Sequence, residues 1–297
     1  MRGRKSMLRE MTAADLGDVS AVDLRAFGGT PAGRGLLLPR RGELMAAYLA
    51  AGGGLVAEVD GAPGGFLFWH RWGTYGWLGP LAVDPVHQGR GIGKRLVEAA
   101  RTRLITSGVR VVGLETWPEE GKNLTLYSRL SFQWEGFCLL LTHSAMVEDA
   151  TIPPAPVDDM ALVRRIAASV LPGFDPSVSV AATVRQGLGD LFAEANGFVL
   201  CQRGGSREGT HDLGLIKLLM VEPGARRSQT GYLLQTACAY FRAVGAREVL
   251  LPLYADQQHW LPDLLARGWR IAGATLRALW PAPPPGPRGT AFYSLVG

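Results

Sequence analysis

Two short strings occur twice in this chain, in the same order and at nearly the same distance. Residues 55–61 (LVAEVDG) return as 191–197 (LFAEANG), and residues 81–85 (LAVDP) return as 219–223 (LMVEP). A repeat of this period predicts an internal duplication, two halves built on one plan. The length of 297 residues agrees, since it exceeds what one ordinary core fills. The stretch between the copies, 150–159 (ATIPPAPVDD), is Pro-rich and has the chemistry of a semi-rigid linker. It divides the chain into 1–149 and 160–297.

In the first half, apolar alternation over 55–59 and 66–69 flanks Asp60-Gly61, which predicts a hairpin. A short apolar strand over 77–83 stops at Asp84-Pro85. A helix comes next over 93–104, with Leu96, Val97, Ala100 and Leu104 on one face. A strand over 109–116, a helix over 123–130 and a strand over 136–142 complete the half, and a worn copy of the same order fills the second. The fold class is therefore mixed α/β, in two tandem domains. After the Pro-rich piece 281–287, the tail AFYSLVG reads either as a last strand or as a frayed end.

Composition excludes several classes. Hydrophobic residues make up 47% and charged residues 19%, as in a globular chain. The balance of 31 Lys plus Arg against 26 Asp plus Glu is a weak field without dense basic runs, so no nucleic-acid partner is implied. Cys138, Cys201 and Cys238 are far apart and odd in number, which argues against a disulfide framework and against a metal site. No apolar run is long enough to span a bilayer, and no apolar segment comes after the charged start, so the expected location is the cytoplasm, away from membranes.

The chemistry lies in residues 83–96 (VDPVHQGRGIGKRL). Gly89, Gly91 and Gly93 alternate between a strand and a helix, so backbone N–H groups can turn towards one centre and an anion can approach without meeting a Cβ. The helix N-terminus adds partial positive charge, and Arg90 and Lys94 add full charge at the rim. A dinucleotide fingerprint would need glycine where Lys94 stands, and a P-loop would need Ser or Thr where Arg95 stands. Gln88, Gly91 and Gly93 instead meet the Gln/Arg-x-x-Gly-x-Gly/Ala signature of the GCN5-related N-acetyltransferases (GNAT). Over about residues 7–145 the chain resembles that family, with LAVDP, the Gly-rich turn and Asn123-x-x-x-Tyr127 in the expected order.

The resemblance implies that the turn Gln88, Gly89, Arg90, Gly91, Ile92, Gly93 and Lys94 binds the pyrophosphate of acetyl-CoA, the acyl donor, with no metal. It implies that Leu81, Ala82 and Val83 lie on a splayed strand that bonds the pantetheine. It makes the Leu81 N–H the group that polarises the thioester carbonyl, Tyr127 the proton donor to the leaving thiolate, and Asn123 a hydrogen-bonding partner of the cofactor. Glu115, near the end of its strand, is the candidate general base, with Glu58 and His70 as runners-up. Ser131-Phe132 stands where the family commonly has Gly-Phe.

In the second half Arg226, Arg227, Gln229 and Gly231 replace Gln88, Gly89, Gly91 and Gly93, and Leu264 and Leu265 stand where the tyrosine is expected. That half reads as the same fold without its active site, a completing wall or a built-in dimer partner, with the two arginines leaving open a residual anion site. Trp260 and Trp269 read as packing residues. The function implied is acetyl transfer to a primary amine of a small molecule or peptide, with a non-catalytic acyl-CoA-binding protein as the alternative. The acceptor pocket is expected around 27–38 (FGGTPAGRGLLL), with Trp69, Trp72, Tyr75 and Trp77 as possible lining. The assembly is a monomer with pseudo-dimeric halves or a homodimer.

Overall fold

A computed structural model describes residues 6–27, 42–145, 152–203, 212–281 and 290–293. In chain order the elements are β1 (Met7–Glu10), α1 (Leu16–Phe27), α2 (Gly42–Ala51), β2 (Gly52–Val59), β3 (Ala62–Trp72), β4 (Tyr75–Val83), α3 (Ile92–Thr106), β5 (Val111–Thr116), α4 (Gly121–Arg129) and β6 (Gln133–Ser144). The second half continues with α5 (Met160–Val170), α6 (Ser177–Arg185), β7 (Gly189–Glu194), β8 (Gly197–Gln202), β9 (Leu213–Val221), α7 (Arg227–Ala243), β10 (Glu248–Tyr254), α8 (Leu261–Ala266), β11 (Arg270–Trp280) and β12 (Thr290–Tyr293). The predicted elements are present, most of them longer than predicted. Asp60 and Gly61 both take positive φ (55° and 85°), the two-residue turn that matches the twist of a hairpin, and Val59 and Ala62 close the ladder beside it.

All the described strands join one mixed sheet, in the order β1-β2-β3-β4-β5-β11-β6-β10-β9-β8-β7, with β12 added to β9. The halves are not side by side but exchange strands at the centre. β11 of the second half lies between β5 and β6 of the first, and β6 pairs in turn with β10. The alternation of each strand splits its side chains between two faces. Leu55, Ala57 and Val59 pack under α3, while Val56, Phe66 and Phe68 pack under α1 and α2. In the second half Val199 and Cys201 pack under α7, and Phe198 and Leu200 under α5 and α6. One of these cores holds Trp72, Trp77, Cys138 and Leu140 together with α5 and α6, so burial crosses between the halves. No group of His, Cys, Asp and Glu among the described residues could hold a metal ion, and no helix among them is long and apolar enough to cross a membrane.

The duplication extends to the register. β4 pairs with β5 in parallel through three positions, Tyr75↔Val111, Gly76↔Val112 and Trp77↔Gly113. β9 pairs with β10 through Leu213↔Glu248, Gly214↔Val249 and Leu215↔Leu250. Gly76 and Gly214 are thus equivalent, but their surroundings differ. A Cβ on Gly76 would come 2.8 Å from the end of the Leu104 side chain, whereas one on Gly214 would come 2.2 Å from the Phe241 ring. The leucine can shift and the ring, buried on all sides, cannot. Gly214→Ala should therefore cost about 1–3 kcal/mol in urea unfolding while Gly76→Ala costs less than half of that; equal costs would contradict this packing.

Candidate active site

The Gly-rich turn has the form that its sequence requires. Gly89 and Gly91 take φ of 75° and 74°, a left-handed conformation that other residues rarely adopt, and Gly91 is the N-cap of α3. A Cβ on either would meet no atom within 4 Å, so the space before the turn is open. Asp84 braces the strand side of the turn: its Oδ1 accepts from the Val86 N–H at 3.1 Å and its Oδ2 from Arg25 Nε at 2.6 Å. The Gln88 side chain donates to the Val83 carbonyl at 3.1 Å and ties the turn back to the end of β4.

β4 leaves β5 after Trp77, and residues 81–83 border a cleft of about 880 Å³. Leu81, Ala82 and Val83 lie on one wall, and Gln88, Gly89, Gly91, Ile92, Gly93 and Lys94 on the turn end. Asn123 and Tyr127, one helical turn apart on α4, lie on the other wall. Arg90 is outside the cleft: it is exposed and donates to the Val86 carbonyl at 3.1 Å. Asn123 donates to Thr116 Oγ1 at 3.1 Å, which anchors the start of α4 to the end of β5. Tyr127 is buried beside Phe132, and burial holds its phenol above the ordinary value, so it is fully protonated at neutral pH. Sequence reading missed Trp117, Lys122 and Arg129, which also line the cleft. Basic residues in the first and last turns of a helix are a visible signal, but the loop between β5 and α4 gives no sign of where it folds.

Glu115 stands apart from the cleft. It lies on the stretch of β5 beyond its last pair with β4, on the sheet face covered by α5 and α6, opposite the face that carries Tyr127. The strand exchange sets its neighbours. Arg277 of β11 is its direct cross-strand partner, and Thr275 Oγ1 donates to its Oε2 at 3.1 Å. The Arg277 guanidinium stacks on Tyr254, with Cζ 3.3 Å from the ring centre. Although the residue keeps some exposure, Glu115 Oε1 is sealed and has no hydrogen-bond partner. Burial pushes the carboxyl up to about 7, against the opposing pull of Arg277 and Thr275.

The runners-up lie elsewhere. Glu58 accepts from Arg9 Nε at 3.0 Å on the β1 side of the sheet. His70 is buried against Trp72 and Tyr48 beside a cavity of only about 40 Å³, and burial lowers its ring to about 3, so it stays neutral. Of the aromatic residues read as possible lining of an acceptor pocket, two are core and two are partly buried against a core. Trp72 and Trp77 are buried together with Phe174, Tyr75 packs against the same core, and the Trp69 ring lies over Gly53. Residues 28–38 of the expected acceptor loop lie outside the described residues.

Residues 31–132 match the family model of the acetyltransferase (GNAT) family. The whole chain is similar in fold to solved structures of low identity. A candidate acetyltransferase from Pyrococcus horikoshii superposes with a TM-score of 0.72 at 18% identity, covering 100% of this chain and 97% of that one. A tandem GNAT protein from the clavulanic acid biosynthesis pathway gives 0.65 at 14% identity, covering 95% and 100%. A GCN5-related N-acetyltransferase from Sphaerobacter thermophilus gives 0.62 at 14% identity, covering 100% of both chains.

A carboxyl raised on folding favours the folded state while it is protonated. This contribution is complete below the unfolded value near 4.3 and disappears as pH rises through about 7. Stability should therefore fall by on the order of 1–3 kcal/mol between pH 4.5 and 7.5 from this group, and Glu115→Gln should remove that slope in denaturant titrations. An unchanged slope would mean that the carboxyl is solvated.

Proposed function

Because residues 31–132 match the GNAT family within a chain folded like tandem GNAT proteins, we propose that the protein is an acetyl-CoA-dependent N-acetyltransferase with its working site in the first half. The observation that carries this reading is the open cleft between β4 and β5, with a glycine turn at one end and Tyr127 on its wall. In this reading 1–149 is the catalytic half, 150–159 the linker and 160–297 a second half without a site of its own. The N–H groups of Gly89, Gly91 and Gly93, with Lys94, hold the pyrophosphate. The unpaired edge at Leu81, Ala82 and Val83 takes the pantetheine amides as an added strand would.

The reaction needs an amine without its extra proton, a polarised carbonyl and a proton for the thiolate. The amine nitrogen attacks the thioester carbon while the Leu81 N–H supports the charge on oxygen. The C–S bond then breaks, and Tyr127 gives its proton to sulfur. Glu115, on the opposite face of the sheet just beyond the last β4–β5 pair, is the proposed acceptor of the amine proton. A carboxyl near 7 is suited to this, because it is half ionised at working pH. Thr275 and Arg277 act through Glu115 and are positioning residues. The acceptor is a primary amine of a small molecule or peptide, and the site is a reducing cytoplasm, in keeping with three free cysteines.

Thiol release from acetyl-CoA across an amine panel tests the reading. Tyr127→Phe should lower kcat about 100-fold or more with acetyl-CoA affinity unchanged, and Gly91→Asp should abolish binding. Glu115→Gln should remove the rise of kcat/KM through about pH 7, and Arg277→Met should move that rise to higher pH. Full activity in Tyr127→Phe would remove that residue from the mechanism. Binding with no thiol released would leave a non-catalytic acyl-CoA-binding protein.

A further inference from the structure

The two halves share the three-pair ladder after which β4 leaves β5 and β9 leaves β10, but beyond that ladder they differ. In the first half, residues 81–83 face the open cleft. In the second, the equivalent stretch 218–221 is paired antiparallel with β12, through Leu218↔Tyr293, Leu219↔Phe292, Met220↔Ala291 and Val221↔Thr290. The other edge of 218–221 is already paired with β8, so β12 occupies the edge that faces β10, in the wedge itself. β12 also lies against β10, the far wall.

We propose that the C-terminal segment of this chain is the resident occupant of the second half's acyl-CoA slot, an extended polypeptide bonded where the first half leaves its edge free for a pantetheine arm. The physics is that of strand addition: a parted strand presents backbone donors and acceptors that any extended chain carrying amides can satisfy. Here the occupant is covalently attached, so its local concentration is high and no free ligand competes easily.

The phosphate end of the same slot is closed independently. Arg227 stands where Gly89 stands in the first half, and α7 begins there without the two left-handed glycines. Its guanidinium forms an ion pair with Asp263 at 2.9 Å, donates to the His259 carbonyl at 3.3 Å and stacks over the Trp260 ring at 4.3 Å. Of the two arginines expected as a remnant anion site, Arg227 is thus engaged by α8 and the turn before it. Both ends of the slot are filled by the chain, and the second half takes no acyl-CoA. The likeness of the slot to the first half's cleft rests on the function proposed above; the strand occupancy does not.

Hydrogen exchange of the amides in 218–221 tests the occupancy without any cofactor. Those that point towards β12 should be protected in the full chain, exchange about 100-fold faster in a chain ending at Pro287, and recover when a synthetic peptide of residues 288–297 is added, while the alternate amides bonded to β8 stay protected throughout. Ala291→Pro and Phe292→Pro, made in the full chain, should raise exchange at the same stretch without shortening the protein. Calorimetry on the full chain should give one acetyl-CoA per chain, and acetyl-CoA should leave exchange of Thr290–Tyr293 unchanged. Undiminished protection in the shortened chain and in both proline variants would overturn the proposal. So would two equivalents of acetyl-CoA, or release of the tail by it. No binding at all would overturn the reading of the first half and leave the exchange data to decide this one.

Discussion

The fold turns on where two strands stop pairing. β4 and β5 hold together through Trp77 and Gly113 and then separate. The Trp77 ring lies so close over Gly113 that a Cβ there would sit 2.0 Å from it, so the last pair is also the place where a bulky side chain enters the sheet. Immediately beyond, Pro80 has no N–H to give, and the β3 side of the strand shifts register between Leu67 and Trp69. A central strand would ordinarily be intolerant of such an interruption. Here it leaves one free backbone edge, and the cleft, the glycine turn and α4 are arranged around that edge.

The exchange of β6 and β11 makes the halves mutually dependent. Without β11, β5 would be an open edge and Glu115 would face water as an ordinary carboxylate. With it, Glu115 faces Arg277 and Thr275 and is partly sealed. The second half, which has no such glycine turn, therefore sets the surroundings of a carboxyl in the first, through burial and one opposing charge.

The glycine turn, α3 and the hairpin were legible because their signals are local: alternating glycines, a period of 3.6 with Leu96, Val97, Ala100 and Leu104 buried, and Asp60-Gly61 between strands. That Tyr127 and Asn123 line the cleft was legible through a family resemblance that depends on spacing. What escaped was everything made by pairing over long distances. Nothing near Arg277 or Thr275 indicates that they will lie against Glu115, about 160 residues away, because strand order in a sheet is not written in any one strand. The aromatic residues 69, 72, 75 and 77 misled for a related reason. They read as possible lining of a pocket, but strand parity and the arrival of Phe174 from the second half buried Trp72 and Trp77 and packed Tyr75 against them, while Trp69 packs on the other face of the sheet.

The duplicated wedge also shows what a parted edge needs when no open cleft lies beside it. Without β12 the parted edge of β9 would remain as unpaired backbone in a partly buried groove, which is costly. A groove that held a ligand can retain its shape only if something else satisfies those groups. An extended tail is the simplest substitute, because it supplies amides at strand spacing without requiring side-chain complementarity. The sequence constraint on such a tail is weak, requiring only that it be extended and that it reach. That is why seven residues after a Pro-rich stretch read equally well as a strand or as a frayed end, and why the partner edge, and not the tail's own composition, decides between them.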